Sequence, residues 1–446
     1  MADRQSTKPA RGTRDFLPDD LRRREYVIGI VRDVYQRYGF EPLETPAFEN
    51  IETLTGKYGE EGNQLIFKIL KRGEHEKSGE ADLALRYDLT VPLARVVAEY
   101  QNALPTLFKR YQIQPVWRAD RPARGRFREF YQCDIDATGS TSPVVEAEIL
   151  GAVSEILTAL GFGDFVIRLN HRRVLTGLLE KAGVPAALHG DALVALDKLD
   201  KIGADGVMKE FDARGISAEA GATALSFFTS CATRTPEGAL GVLNALLAGN
   251  EAVANLTAIV GLAAATPAAG RIRIDPSLAR GLSYYTGAIM EIAVEGIGSL
   301  GGGGRYDNLV GMFLGREVPA CGFSLGLERI IVVMTEREMF PASVVKSAVD
   351  IVVTLWNEQS RADSVALAAE LRQKGLRVDL YPEADKLGKQ FKYASSRQAP
   401  FVAIAGDDER ARGEVAVKDL RSGEQTSMAR DQVAAFVLAN LRTLKR

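Results

Sequence analysis

Over residues 108–139, polar and apolar side chains alternate along two runs joined by a basic loop. In the first run Arg110, Gln112, Gln114 and Arg118 take even positions, with Val116 the exception. Tyr111, Ile113, Pro115 and Trp117 take the odd ones. In the second, Arg126, Arg128, Phe130, Gln132, Asp134 and Asp136 share one parity. Phe127, Tyr131, Cys133 and Ile135 share the other, interrupted by Glu129. A period of two predicts a half-buried antiparallel strand pair. A single polar row is what any solvated face shows. Two adjacent rows rich in Arg, Gln and Asp point instead to the floor of a site.

Elsewhere the period changes. Val27, Val31, Val34, Tyr35 and Tyr38 form one apolar helical stripe, opened by Asp19 and Asp20 and closed by Gly39. Two prolines in residues 40–48 predict an extended edge or interface strand. Residues 56–79 read as a loop around a short strand, 83–88 as a strand, and 89–100 and 142–160 as helices. Residues 1–335 form the expected catalytic core. Within it, the Ala- and Leu-rich stretch of about 171–265 predicts a helical insertion. Residues 336–348 read as a linker. From 349 to 446 strands and helices alternate, which predicts a mostly parallel sheet in a separate α/β domain.

A chain of 446 residues is too long for one core, in keeping with several domains. With 46% hydrophobic and 26% charged residues, the composition is that of a soluble globular protein. The formal net charge of −2 excludes a global basic field, so any nucleic-acid contact must come from local patches. Cys133, Cys231 and Cys321 stand far apart and His75, His171 and His189 show no ligand spacing, so no metal site is expected. Isolated thiols fit a reducing compartment. With neither a signal core nor a membrane-spanning apolar run, the expectation is a cytoplasmic protein that enters no membrane.

No phosphate loop and no GxGxxG motif is present, so a nucleoside triphosphate would have to be held by arginines on a sheet. Three arginines stand in distinctive contexts: Arg118, Arg280 in ARGLSYYTG (279–287) and Arg329 in GLER (326–329). Each alone is as readily a surface ion pair. The glycine run 301–304 is either a turn or a close approach of backbone to a ligand.

Residues 38–49, 108–139 and 322–330 resemble motifs 1, 2 and 3 of class II aminoacyl-tRNA synthetases. LRYDLT (85–90), FYQCDID (130–136), RGLSYYTG (280–287) and GGGRYDNLV (302–310) resemble histidyl-tRNA synthetases. RYDLT, FYQCD and Asp136 look like the eukaryote-like branch. The resemblance runs from Arg11 to about Thr426. It implies an α+β, antiparallel-sheet class II catalytic domain with a helical insertion, a C-terminal α/β anticodon-binding domain, and a homodimer. The implied reaction joins histidine to ATP with loss of pyrophosphate, then passes it to the 3′ end of tRNA(His).

Carried onto this sequence, the resemblance gives Arg118 the α-phosphate of ATP, with Arg280 beside it and Gln132 completing the catalytic set. Phe130 and Arg329 would sandwich adenine, Arg329 reaching the γ-phosphate, and Asp120 would border the ATP site. Asp88, Leu89, Thr90, Gln132, Asp136, Tyr284, Tyr285 and Arg280 would line the histidine pocket. Arg121, Arg124 and Arg126 would meet the tRNA acceptor end. Lys386, Lys389, Gln390, Lys392 and Arg397 would give the C-terminal domain its RNA contacts, and ATP would enter with Mg2+. Asp120 and Asp136 stand where Glu is common, and Ser283 where Asp is usual. The alternative is a catalytically inactive paralogue: a regulatory subunit of an ATP phosphoribosyltransferase, or a sensor. The regulatory kind lacks a C-terminal α/β domain, and either would be expected to lose the three arginines.

Overall fold

The computed structural model describes residues 6–73, 78–279, 284–294, 296–345 and 348–442. The chain divides into two compact units, Met1–Met339 and Phe340–Arg446. In the first unit the strands are β1 (Glu41–Pro42), β2 (Phe48–Asn50), β3 (Lys68–Leu70), β4 (Ala81–Leu85), β5 (Phe108–Trp117) and β6 (Glu129–Thr138). They continue with β7 (Phe165–His171), β8 (Ile272–Ile274), β9 (Ala288–Val294), β10 (Gly298–Arg305) and β11 (Ala320–Gly326). Eight of them form one sheet in the order β1-β5-β6-β11-β10-β9-β7-β8; β2, β4 and β3 form a small second sheet. The large sheet is antiparallel in its interior, as expected. It is mixed at its rims, because β1 and β8 join their neighbours in parallel.

The register explains the alternation. Residues directly opposite one another across a ladder share a face. Gln112 lies opposite Asp134 and Arg110 opposite Asp136. Ser324 and Gly322 of β11 lie opposite the same two acids, and Gly302 and Gly304 of β10 follow. The other parity supplies Cys133, Ile135, Phe323, Leu325, Ile292, Ile167 and Leu169, all buried. Behind them lie the helices Pro18–Arg37, Val144–Ala159, Glu251–Ala263 and Leu327–Glu336. The first begins with Pro at its N-terminus and Asp19 and Asp20 in its first turn, and it buries Val27, Val31, Val34 and Tyr35. The Tyr35 hydroxyl donates to the Cys133 carbonyl at 2.9 Å, tying that helix to β6.

Arg305, at the end of β10, forms a buried two-pronged ion pair with Glu146, Nε to Oε1 at 2.7 Å and Nη2 to Oε2 at 2.9 Å. The pair pins the helix Val144–Ala159 to the sheet. Removing one partner of such a pair strands the other charge. Glu146→Ala is therefore expected to destabilise the protein by about 3–5 kcal/mol, read as a shift in the denaturant midpoint.

Two segments differ from the sequence pattern. Residues 56–79 contain a helix, Gly59–Gln64, where a loop was expected. The four glycines of 301–304 lie within β10 and make no turn. A Cβ at Gly301 or Gly303 would stand 2.4 Å or 2.1 Å from backbone carbonyls of β11, so the strand seats closely only because it lacks side chains there. Between β7 and β8 the described secondary structure is helical, from Arg172–Lys181 to Glu251–Ala263.

The second unit holds β12 (Ile351–Val353), β13 (Val378–Leu380), β14 (Phe401–Ile404), β15 (Glu414–Asp419) and β16 (Gln425–Ala429). Their order is β13-β12-β14-β15-β16. The first three are parallel, and the last two add antiparallel. Val353, Leu367, Leu371, Phe401, Val417 and Val437 are among its core residues. Gln390 is part of this scaffold rather than its polar surface. It is fully buried, donates to the Leu355 and Asp385 carbonyls, and accepts from the Leu355 amide.

Candidate active site

On the polar face of the large sheet lies an open cleft with a cavity volume of about 340 Å³. Its floor is the β6 row Phe130, Gln132, Asp134 and Asp136, with Gly322 and Ser324 beside it. Asp88, Thr90, Arg118, Asp120, Tyr284, Tyr285 and Arg329 join them in the lining, as does Arg126. Residues drawn from five widely separated stretches of sequence thus meet around one space. Arg280 and Ser283 lie outside the described residues.

Two acids close the deep end. Asp88 Oδ1 accepts from the Tyr58 hydroxyl and the Val91 amide, both at 3.0 Å, and Oδ2 from the Tyr284 hydroxyl at 3.1 Å. Burial pushes its pKa up, and those donors with Arg118 pull it back. Asp136 pairs with the guanidinium of Arg110, Nη2 to Oδ2 at 2.8 Å, with both residues buried. It also accepts from the Tyr306 hydroxyl. Its pKa too is raised, chiefly by burial, against the pull of Arg110. Gly322 makes room for this carboxylate: a Cβ there would lie 1.8 Å from Asp136 Oδ1.

The other end is aromatic and cationic. Arg118 leaves the end of β5, donates from Nε to the Tyr87 carbonyl at 3.0 Å, and lies over the Tyr87 ring and near that of Phe130. Arg329 donates to the Ser299 carbonyl at 2.5 Å. Its neighbour Glu328 is buried and joins three elements: it accepts from Arg24 at 2.5 Å and from the Tyr131 amide at 2.8 Å. In front passes the basic loop, joined at its neck by the Arg118 amide donating to the Arg128 carbonyl. Arg128 in turn donates its amide to the Gly12 carbonyl at 2.8 Å.

Not every expected residue faces the cleft. Leu89 is fully buried outside the lining, and its carbonyl accepts from Arg110 at 3.1 Å. Of the loop arginines, Arg121 is exposed and Arg124 is paired with Glu336. Lys389 and Arg397 of the second unit pair with Asp385 and Asp379. Arg86, inside LRYDLT, is structural: it is buried and donates to the carbonyls of Thr45, Pro46 and Pro115. Asp134, Tyr58, Arg110, Tyr306, Ser324 and Gly322 complete the site, and the sequence reading assigned none of them a role. The parity of β5 and β6 already placed Arg110 and Asp134 on the polar face. Nothing in the pattern marked Tyr58.

Among the described residues no helix is long and apolar enough to cross a membrane. Nor do three or more His, Cys, Asp or Glu cluster so as to hold a metal ion.

Comparison with known proteins agrees with this architecture. Residues 12–330 match the family model for histidyl-tRNA synthetase, and residues 349–440 that for an anticodon binding domain. A histidine–tRNA ligase of Gloeobacter violaceus is 42% identical over 462 residues, covering 97% of this chain and 98% of that protein. One of Christiangramia forsetii is 41% identical over 440 residues, covering 94% and 96%. The crystal structure of histidyl-tRNA synthetase from Nostoc sp. PCC 7120 superposes with a TM-score of 0.82 at 32% identity, covering 98% of this chain and all of that one. The fold is a class II synthetase catalytic domain with a mixed, largely antiparallel sheet, followed by a C-terminal α/β anticodon-binding domain. On this evidence the chain belongs to the histidyl-tRNA synthetase family.

Proposed function

We propose that this protein is an ATP-dependent histidine–tRNA ligase whose two substrates meet along β6. The observation that carries the reading is the row Phe130, Gln132 and Asp136 on one face, with Arg118 and Arg329 at the nucleotide end and buried acids at the other. Adenine stacks on Phe130 and under Arg329, Asp120 borders the nucleotide, and Arg118 holds the α-phosphate. The same family motif gives Arg280 a place beside that phosphate. The histidine carboxylate attacks the α-phosphorus in line, and pyrophosphate leaves. Nothing covalent is asked of the protein, which positions the reactants and neutralises charge. Gln132, Thr90 and Asp88 take the ammonium end of histidine, and Asp136 with Tyr285 and Tyr284 take the ring. Unpaired polar groups in the pocket penalise amino acids without those N–H groups.

Mg2+ accompanies ATP as the counter-ion of its phosphates. Because no metal-holding cluster is found among the described residues, no step is routed through it. Arg121, Arg124 and Arg126 approach the acceptor end of tRNA(His), Arg124 after release from Glu336. The boundaries 1–335, 336–348 and 349–446 separate catalysis from anticodon reading. The RYDLT and FYQCD motifs favour the eukaryote-like branch, although the relatives named above are bacterial. A cytoplasmic homodimer completes the reading, checked by sedimentation of the active enzyme. An active monomer contradicts it.

Purified protein is expected to exchange pyrophosphate into ATP with histidine and no other amino acid. Deleting residues 349–446 is expected to reduce charging of tRNA(His) transcripts by about a hundredfold or more, on the scale of lost RNA contacts. Exchange should stay within a few-fold. Equal loss of both activities contradicts the division of labour.

A further inference from the structure

Phe130, Gln132 and Asp136 have assigned partners, but Asp134 stands between two of them on the same face. Alternate residues of a strand are roughly 6.8 Å apart along a face. A ligand that reaches both Gln132 and Asp136 therefore passes over Asp134. This side chain lines the cleft and is 2% exposed. Its Oδ1 is buried without a hydrogen-bond partner, as is Oε1 of Gln132.

The surrounding groups are otherwise engaged. From β5, Gln112 spends its amide on Thr45 and Gln114, and Arg110 directs Nη2 to the Leu89 carbonyl and Asp136. From β11, the Ser324 hydroxyl accepts from Gln132 Nε2 at 2.7 Å. Asp136 on β6 and Asp88 ahead of the helix Thr90–Glu99 add like charge, and the rings of Tyr285 and Tyr306 complete the wall. Leaving a buried carboxylate oxygen unmet is expensive, and an N–H donor entering the cleft meets it.

Taking the proposed reaction as given, we infer that Asp134 is a further specificity-determining residue whose carboxylate accepts an N–H of the bound amino acid. The acid then does for histidine what no group of the protein does for the acid. Burial, with Asp136 nearby, pushes the Asp134 pKa up to about 7 against the pull of Arg110 and Ser324. Below that pH a proton occupies the acceptor, so histidine binding weakens as pH falls.

The test uses the full chain as wild type, Asp134→Asn and Asp134→Ala, read by pyrophosphate exchange. Asp134→Ala is expected to raise KM for histidine by roughly tenfold to a hundredfold, the scale of a lost charge-assisted hydrogen bond. KM for ATP and the melting temperature should be nearly unchanged. Asp134→Asn keeps a carbonyl acceptor and should fall between. Between pH 6 and 8 the wild type should also lose more histidine affinity on acidification than Asp134→Asn, in which only the substrate's own imidazole titrates.

Two competitive ligands identify the donor. 2-(Imidazol-4-yl)ethylamine keeps ammonium and ring; 3-(imidazol-4-yl)propanoate lacks the ammonium. Weakening of the first alone assigns the contact to the ammonium, and weakening of both assigns it to the ring. An unchanged KM for histidine in Asp134→Ala overturns the inference. So does an equal rise for histidine and ATP with a lowered melting temperature. Absence of histidine-dependent exchange in the wild type would instead overturn the proposed reaction.

Discussion

Arg118→Ala is expected to lower the rate of histidine-dependent pyrophosphate exchange by roughly a hundredfold to a thousandfold, the effect of removing one preorganised donor from a developing charge. The side chain is held for this task before substrate arrives. Its Nε is occupied by the Tyr87 carbonyl, and the guanidinium lies over the Tyr87 ring at 4.2 Å. Its orientation is thus fixed by protein contacts, which is what lets a charged group act without reorganising. The loss should fall on kcat rather than on KM for histidine, because the α-phosphate carries most charge in the transition state. Arg118→Lys keeps the charge but not the planar fork, and should recover only part of the rate. The contact with Tyr87 is one backbone hydrogen bond, so folding should survive and the melting temperature should barely move. A variant with near-normal exchange would remove Arg118 from the reaction.

Gly322→Ala should be as damaging through a single methyl group. The added Cβ would lie 1.8 Å from Asp136 Oδ1, 2.5 Å from its Cγ and 2.9 Å from the Ile135 carbonyl. Asp136 cannot simply turn aside, because Arg110 and the Tyr306 hydroxyl hold it in place. Displacing it leaves the buried Arg110 guanidinium without its counter-charge. The expected outcome is a loss of about 3–5 kcal/mol of stability, the cost of breaking a buried pair, together with at least about a hundredfold rise in KM for histidine. Chemical denaturation and exchange kinetics on the same preparation separate the two effects. Tolerance of alanine on both counts would mean that Asp136 is not fixed where the pair puts it.

The hairpin carrying most of the site was legible because alternation is a direct print of strand geometry. Glu129 breaks the parity at the mouth of the cleft, where the strand begins and burial does not yet constrain side chains. Gly322 and Ser324 left no such print, since a glycine and a small hydroxyl carry little hydropathy contrast. Tyr58 fell in a glycine-rich stretch that reads as a loop, and only the folded chain shows its hydroxyl on Asp88. Gln390 failed in the opposite sense. A polar residue among lysines looks like surface, yet its amide satisfies backbone groups at the end of β12 that no neighbouring strand reaches. Local pattern records which face a residue takes. It cannot record which distant segment that face meets.

The strand order has a consequence for how the protein is made. β6 is synthesised early, but its second partner, β11, starts at Ala320, after the whole helical stretch between β7 and β8. While the ribosome works through those residues, β6 presents an unpaired edge with Asp134 and Asp136 in front of it. Exposed edges invite pairing with other chains. Carboxylates along this one discourage that encounter. The charges that later receive a substrate thus also guard the nascent chain while it waits for its own last strand.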